Sequence, residues 1–592
     1  MKQFKIILTA LFALAVFIVN GQDKKPNLNP DEIDTFMEKV MEDWNIPGMG
    51  IGIVHKDELI YQKGYGYRDY GNKIPFTSQT LVQIASNTKL FTVIAAGMLV
   101  EEGILTWDEP IKKAVPEIEF FNDHLNNNVT LRDMLGHLTG ISRHDLIWFQ
   151  SDFTRKEIFD RLKYLEPSAP LRTKFIYNNI MYTAVGYIIE LKSGMTWEDF
   201  VTERILKPLE MNQTLFSIEK MQQTRDYGVP YNEKSDTTLL YKVELKTDGH
   251  AVGPAGAIIS NIDDISKWVI TILNDGKYKN RQVIPSSVLK ETLEPVFAFR
   301  NRSVELHGWK ETLNVQAALG RFTEVYRGNF LTNHGGSMPG FQTQISMLPH
   351  DSIGIIVFGL GDQSRRAVDF VTDNLIEHLL GLDQTDWNSR YLTFRDINRQ
   401  TFISGRTRED HDRVDNTTPT HPVSDYTGFF TNPMYGDFTT YLRNDTLFFN
   451  FRNTEVPLSH YHFNRFDSDF DEDFGKWSLN FLINPQGEIG SFVVSLDQKQ
   501  AEFIRKPDPA LSTIEVLSQY IGFFGDETFE TEVRIVGGKL LFGSTELVPH
   551  KKHVFKVKDF DNRLVEFVAQ DNKVTAIQLK NEYGVFEFKK LR

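Results

Sequence analysis

The sequence predicts an α/β (α+β) sandwich, an antiparallel sheet covered by helices from both chain ends, followed by two small all-β barrel-like domains. Three observations carry this expectation. A hairpin-like stretch near the N-terminus is answered, about 290 residues later, by two apolar strand-like runs. A long helical middle separates them. Residues 423–592 then hold two copies of a motif with a Tyr followed by Gly-Phe-Phe, each opening a series of short strands.

Taken in order, Lys2 and Lys5 precede IILTALFALAVFIV, and Val19-Asn20-Gly21 is suited to cleavage. Residues 1–21 therefore read as a secretory signal, too short and wrongly flanked for a membrane span. The mature protein is expected to cross the inner membrane into the periplasm, with no membrane span of its own. A first helix starts at Asn29-Pro30-Asp31 and stops at Pro47-Gly48. GMGIGIVHKDELIYQKGYGYRD alternates as a hairpin turning at Lys56-Asp57. TLRDMLGHL and MYTAVGYIIELKSG are helical, the second ending on Gly194. GFQTQISMLPHDSIGIIVFGL gives two strands and AVDFVTDNLIEHLLGL a closing helix, so residues 22–382 form one domain. Residues 383–422 are polar and read as a linker. The repeats fill 423–508 and 512–592, with hairpin strands starting at Thr446-Leu447 and Lys539-Leu540.

Composition excludes several classes of function. The chain has 592 residues, 41% apolar and 24% charged, an ordinary globular balance. With no cysteine, thiolate nucleophiles, disulfides and Cys-ligated zinc are ruled out. A net charge of −14 argues against nucleic acid or an anionic membrane as partner.

The chemistry centres on VQIASNTKLF. Ser-x-x-Lys occurs three times, at Ser86/Lys89, Ser217/Lys220 and Ser287/Lys290. The last two sit among polar neighbours and read as helix starts with solvated lysines. Ser86 instead stands among Val82, Ile84, Leu90, Phe91, Val93 and Ile94. Three residues apart on a helix, Lys89 can reach the Ser86 hydroxyl, and burial lowers the lysine pKa toward that of a base. At a helix N-terminus the Ser86 N–H is free to hold an oxyanion. Tyr177-Asn178-Asn179 is the Tyr-x-Asn that precedes a strongly apolar helix, and His334-Gly335-Gly336 leads into the strand hairpin. Gly336 would let a substrate lie against the strand backbone.

Ser-x-x-Lys, Tyr-x-Asn about 90 residues on and His-x-Gly about 155 later, in that order, resemble the serine β-lactamase-related family. The family includes class C β-lactamases, DD-peptidases, D-aminopeptidases and esterases. LVEEGILTWDEPI, VTLRDMLGHLTGI, ILKPLEMNQT and NHGGSMPGF match as well, and the likeness covers residues 30 to 382. The repeats resemble the lipocalin-like barrels appended to some family peptidases. The resemblance implies Ser86 as acylated nucleophile, Lys89 as its base, Tyr177 as proton shuttle and Asn179 as substrate-orienting side chain. It implies an oxyanion hole from the N–H groups of Ser86 and Ser337. His334 stands where penicillin-binding members carry a lysine. A neutral histidine there disfavours efficient β-lactam hydrolysis.

Rival readings lack their signatures. G-x-S-x-G would need glycine at Pro339. DSDFDEDFG has Glu472 and Ser478 where an EF-hand needs glycine and glutamate. Histidines 137, 144, 460 and 462 lack zinc spacing and read as structural. The expectation is therefore a serine hydrolase of small peptide, amide or ester substrates, D-amino-acid peptides foremost, without metal or organic cofactor. The opposing class is a catalytically silent protein holding peptidoglycan fragments, which has no need of the whole set of site residues. The barrels are expected to flank the cleft or to join copies into a homo-oligomer.

Overall fold

The structure, a computed structural model, describes residues 26–592 except 236, 246–249, 301–307, 407–409, 453, 473–474, 497–498, 528 and 571–572. The expected secretory signal lies outside the described residues.

The main sheet has nine antiparallel strands: β1 (Gly48–His55), β2 (Glu58–Asp69), β3 (Ile74–Pro75), β4 (Phe297–Ala298), β5 (Thr312–Ala317), β6 (Phe322–Tyr326), β7 (Asn329–Met338), β8 (Phe341–Leu348) and β9 (Ile353–Leu360). Their order is β4-β5-β6-β7-β8-β9-β1-β2-β3. The two chain ends therefore meet at the β1–β9 seam, in register from Met49 opposite Gly359 to His55 opposite Ile353. All of β8 and β9 is buried, which is why these strands read as continuous apolar runs rather than as alternating ones.

One face carries α1 (Pro30–Asp43), α5 (Arg365–Leu380) and α6 (Trp387–Arg406). Ile33, Met37 and Val40 of α1 share a core there with Val368, Val371 and Leu375 of α5, the helical stripe that a single buried face demands. The other face carries α2 (Thr88–Glu101), α3 (Asn179–Ser193) and α4 (Ile262–Leu273). Twelve consecutive residues of α2, from Thr88 to Leu99, are buried. It is a helix sunk in the core, apolar all round as its sequence is. Gly194 and Gly381 end α3 and α5 in the left-handed conformation.

One expectation is corrected and another is extended. Residues 383–422 are more than a linker, because α6 occupies half of them. Its polar sequence hides the docking, which uses few buried apolar residues and several hydrogen bonds. Arg395 donates to the Asp43 carbonyl (2.7 Å) and Arg399 pairs with Glu233 (2.9 Å). NHGGSMPGF leads into β8 as expected, and most of it is itself a strand, β7, made regular by β8 alongside, although two glycines give it little propensity of its own.

Each repeat is a closed eight-stranded antiparallel barrel. The first closes through Phe430 opposite Arg505 and the second through Phe524 opposite Lys590. Strand alternation points Phe430 and Phe524 into the core and leaves Phe429 and Phe523 partly exposed. Tyr426 and Tyr520 plug equivalent ends, bonded to Asn464 and His553. The first barrel is filled by Phe438, Phe449, Phe481, Phe492 and Phe503.

Glu377 ties α5 to the start of α6. It is fully buried and accepts from Tyr326 (2.8 Å), Thr385 N (2.7 Å) and Trp387 Nε1 (3.1 Å), with the Arg327 guanidinium 3.1 Å away. Glu377→Ala strands these donors and is expected to cost about 3 kcal/mol, read as a lowered urea midpoint of the domain that holds the nine-stranded sheet.

Candidate active site

Ser86, the candidate nucleophile, sits on a single three-per-turn helical turn, Ala85–Asn87, that runs straight into α2. That geometry eclipses residues three apart, and it brings Lys89 Nζ to 3.1 Å from Ser86 Oγ. Ala85, just before the serine, is held at φ +48°, a left-handed conformation costing about 1–3 kcal/mol away from glycine. The surroundings enforce it. Ile84 N–H bonds the Ile258 carbonyl (2.9 Å), the Thr343 hydroxyl of β8 donates to the Ile84 carbonyl (3.0 Å), and Asn87 Nδ2 donates to Thr343 Oγ1 (2.9 Å).

Lys89 has no exposed surface. Besides Ser86 it meets Asn179 Oδ1 and the Ala255 carbonyl, both at 2.8 Å. Burial pushes its pKa well below the ordinary lysine value, partly offset by the Asp145 carboxylate. A neutral amine has two N–H donors and one lone pair. Two of its three neighbours are carbonyl oxygens, which can only accept, so the lone pair faces the one neighbour with a proton to give, Ser86. In this arrangement the amine can take the hydroxyl proton of Ser86.

Tyr177 hydrogen-bonds the Ser86 side chain, and burial raises its pKa above the ordinary phenol value, so it is a neutral hydroxyl able to pass a proton on. Its ring lies 4.4 Å from that of His137, and Lys89 Nζ stands 4.8 Å from its centre. Asn178 caps α3 by accepting from Met181 N–H and donates to the Ile141 and Ser142 carbonyls, while its own N–H bonds His137 Nδ1 (3.0 Å). These contacts fix Tyr177 and Asn179 on either side of the cap. Asn179 Nδ2 donates to Asp145 Oδ1 (3.0 Å), which also receives Trp148 Nε1, and Arg143 Nε reaches Asp145 Oδ2 (2.6 Å).

The opposite wall is β7. Its pairing to β6 ends at Asn333 opposite Phe322, so among the described residues the backbone from His334 to Met338 has no strand on that side. Ser337 and Gly335 lie exposed along it and line a cleft of about 600 Å³ together with Ser86, Tyr177, Asn179, Arg143, Asp145 and Trp148. Gly336 lines the same cleft and carries a further constraint. A Cβ there would lie 2.2 Å from the Ile84 carbonyl and 2.3 Å from Thr343 Oγ1, so the glycine also makes room for the turn that carries Ser86. His334 is buried, its pKa lowered to about 4 by burial and the nearby Lys89, and its Nδ1 lies 2.6 Å from the Gly335 carbonyl. It offers no positive charge at neutral pH.

The structure thus gathers Ser86, Lys89, Tyr177, Asn179, His334, Gly335, Gly336 and Ser337 around one cleft. Sequence reasoning missed Asp145, Arg143 and the Ala255 carbonyl. Asp145 lies in DLIWFQSDFTRKEIF, whose run of aromatics among polar residues marks a cleft wall without marking which carboxylate turns inward. A backbone acceptor leaves no trace in residue type. Among the described residues no group of three or more His, Cys, Asp or Glu is placed to hold a metal.

The sequence model of the β-lactamase family matches residues 33–377, more than half of the chain. This chain belongs to the β-lactamase family. A second model, described only as a domain of unknown function, matches residues 412–505, the first barrel. This β-lactamase-family protein is 28% identical over 428 residues to an unguisins hydrolase of Aspergillus campestris, covering 68% of this chain and 76% of that one. It is 27% identical over 341 residues to protein flp of Staphylococcus aureus, covering 56% of this chain and 63% of flp. The octameric penicillin-binding protein homologue of Pyrococcus abyssi shares the fold, with TM-score 0.52, 18% identity, and coverage of 95% of this chain and 100% of that one. Membership and geometry agree on a serine hydrolase.

Gly336→Ala is expected to displace the nucleophile turn and lower kcat/KM by about 100-fold, the scale of a 1 Å misplacement, with the protein still folded by circular dichroism.

Proposed function

We propose that the protein is an exported hydrolase of small peptide, amide or ester substrates, D-amino-acid peptides foremost, working through an acyl-Ser86 intermediate. The observation that carries this reading is the buried Lys89, its two carbonyl partners leaving its lone pair for the Ser86 hydroxyl.

Ser86 Oγ attacks the substrate carbonyl carbon as its proton moves to Lys89. The oxyanion rests on the N–H groups of Ser86 and Ser337. The proton returns through Tyr177 to the leaving nitrogen or oxygen, the bond to carbon breaks, and the acyl group remains on Ser86. Water, deprotonated along the same relay, then attacks the ester and frees the acid. Asn179, held by Asp145, keeps Lys89 in place and presents an amide to the substrate. The neutral His334 favours substrates that carry no carboxylate at this position. The relative's name, unguisins hydrolase, supports hydrolysis as the chemistry.

The first test compares the mature protein with Ser86→Ala on a D-alanyl anilide, a p-nitrophenyl ester and a chromogenic cephalosporin. Turnover of the anilide or ester that vanishes in the variant is expected, with the cephalosporin much slower. Absence of Ser86-dependent turnover on all three would sink the proposal and favour a holding protein.

Lys89 acts as base only when deprotonated, so kcat/KM is expected to rise with pH along a limb well below the ordinary lysine pKa of 10.5. Lys89→Arg, permanently protonated, should cost about 10²–10⁴-fold. A pH–rate profile checks the limb, and an unshifted one near pH 10.5 would contradict this role for Lys89.

A further inference from the structure

Residues 143–154 form a wall of the cleft on one side and lean on the first barrel with the other. His144 is the pivot. It is buried, held at φ +47°, and its Nδ1 lies 2.8 Å from the hydroxyl of Tyr435, a barrel residue that is itself buried. With the His144 ring seated on the barrel, its neighbours Arg143 and Asp145 turn toward the cleft, where both line the site.

The barrel grips the same loop at three further points. Arg452 donates through Nη1 to the Phe149 carbonyl and through Nη2 to the Tyr435 carbonyl, both at 3.0 Å. It thereby joins two barrel turns to the loop. Thr454 donates to Gln150 Oε1 at 3.2 Å. Phe153 packs over Gly436, where a Cβ would stand 2.8 Å from its ring, and Gly436 has φ +85°. The apolar core of the helices runs without a break into that of the first barrel, whereas the second barrel has a core of its own.

We propose that the first barrel is a positioning element of the active site: Tyr435 and Arg452 hold residues 143–154 in the shape that presents Asp145 to Asn179 and so aligns Lys89 on Ser86. No barrel residue is among those lining the described cleft, so the barrel acts through the loop and not on the substrate. The catalytic half of this inference rests on the hydrolase reading.

The clamp does not open with mild acid. His144 is lowered to about 4 by burial and by Lys499 of the barrel, so it stays neutral above about pH 5. Lys89, at the far end of the chain of contacts, is faced by Asp145 and Arg143 from the loop, by Tyr177, Asn179 and Tyr182 from α3 and the residues before it, by His137, and by His334 of β7. Of the two loop charges, Asp145 raises its proton affinity more than Arg143 lowers it. Release of the loop removes both charges and admits water against the burial that lowers Lys89 most, so the acidic limb of the rate profile is expected to move.

The test uses full-length protein carrying Tyr435→Phe, Arg452→Ala or Arg452→Lys. Hydrogen exchange of residues 143–154 by mass spectrometry reports docking without any need for activity. Steady-state kinetics on the best Ser86-dependent substrate reports its consequence. Expected are faster exchange confined to the loop in Tyr435→Phe and Arg452→Ala, and a kcat lower by about 10–100-fold. The acidic limb should move from its wild-type position, and Arg452→Lys should recover part of the loss. Loop exchange equal to wild type in both variants overturns the clamp, whatever the enzyme does. Faster loop exchange with kcat and pH profile unchanged overturns the positioning role. Wild type without Ser86-dependent turnover is a different failure: it removes the hydrolase reading and with it the catalytic half, while exchange still decides whether the barrel holds the loop.

Discussion

An amine with no access to water is the constraint around which the rest of the molecule is arranged. A charged Lys89 would be costly in the core, and a neutral one still needs acceptors for its hydrogens. Both acceptors come from distant parts of the chain, Asn179 from the first turn of α3 and Ala255 from the short helical segment 253–256. The lysine therefore requires that α2, α3 and the 250–256 segment close on one another. Thr92, one turn along α2, repeats the linkage by donating to the Pro254 carbonyl at 2.6 Å. Gly186 permits the approach, since a Cβ there would strike Pro254 at 2.0 Å.

The sheet supplies the opposing constraint. Its β8 strand reaches across to hold the nucleophile turn through Thr343, and β7 yields its side chain at Gly336 to let that turn in. The left-handed Ala85 is the local strain left by this fit. A nucleophile set on a strained turn and braced on both sides has little freedom to drift, which suits a group that must meet a carbonyl carbon in one orientation.

Much of this was legible in the residues. Ser86 and Lys89 stood out because charge and hydroxyl interrupt an apolar run, and the barrel repeats because Gly-Phe-Phe recurs with the same strand spacing. The paired strands β8 and β9 were visible as continuous apolar segments. β4 to β7 were not, because β4 to β6 are short and only partly buried and β7 carries two glycines, so that all four become strands only through their neighbours. α6 was read as linker because its docking is largely polar. At the site, Asp145 escaped notice since nothing in the loop's composition says which side chains face inward. That information resides in His144 and in a barrel about 290 residues away in sequence.

The two barrels share a strand count and a Gly-Phe-Phe signature, yet they are bound to the molecule differently. The first shares a continuous apolar core with the catalytic helices, and the second encloses its own. Substitutions inside the first copy therefore propagate into the scaffold that carries Ser86, while equivalent changes in the second are absorbed locally. The duplicates carry unequal mutational tolerance, and the second copy is the part of the chain freer to acquire a different surface without disturbing the chemistry.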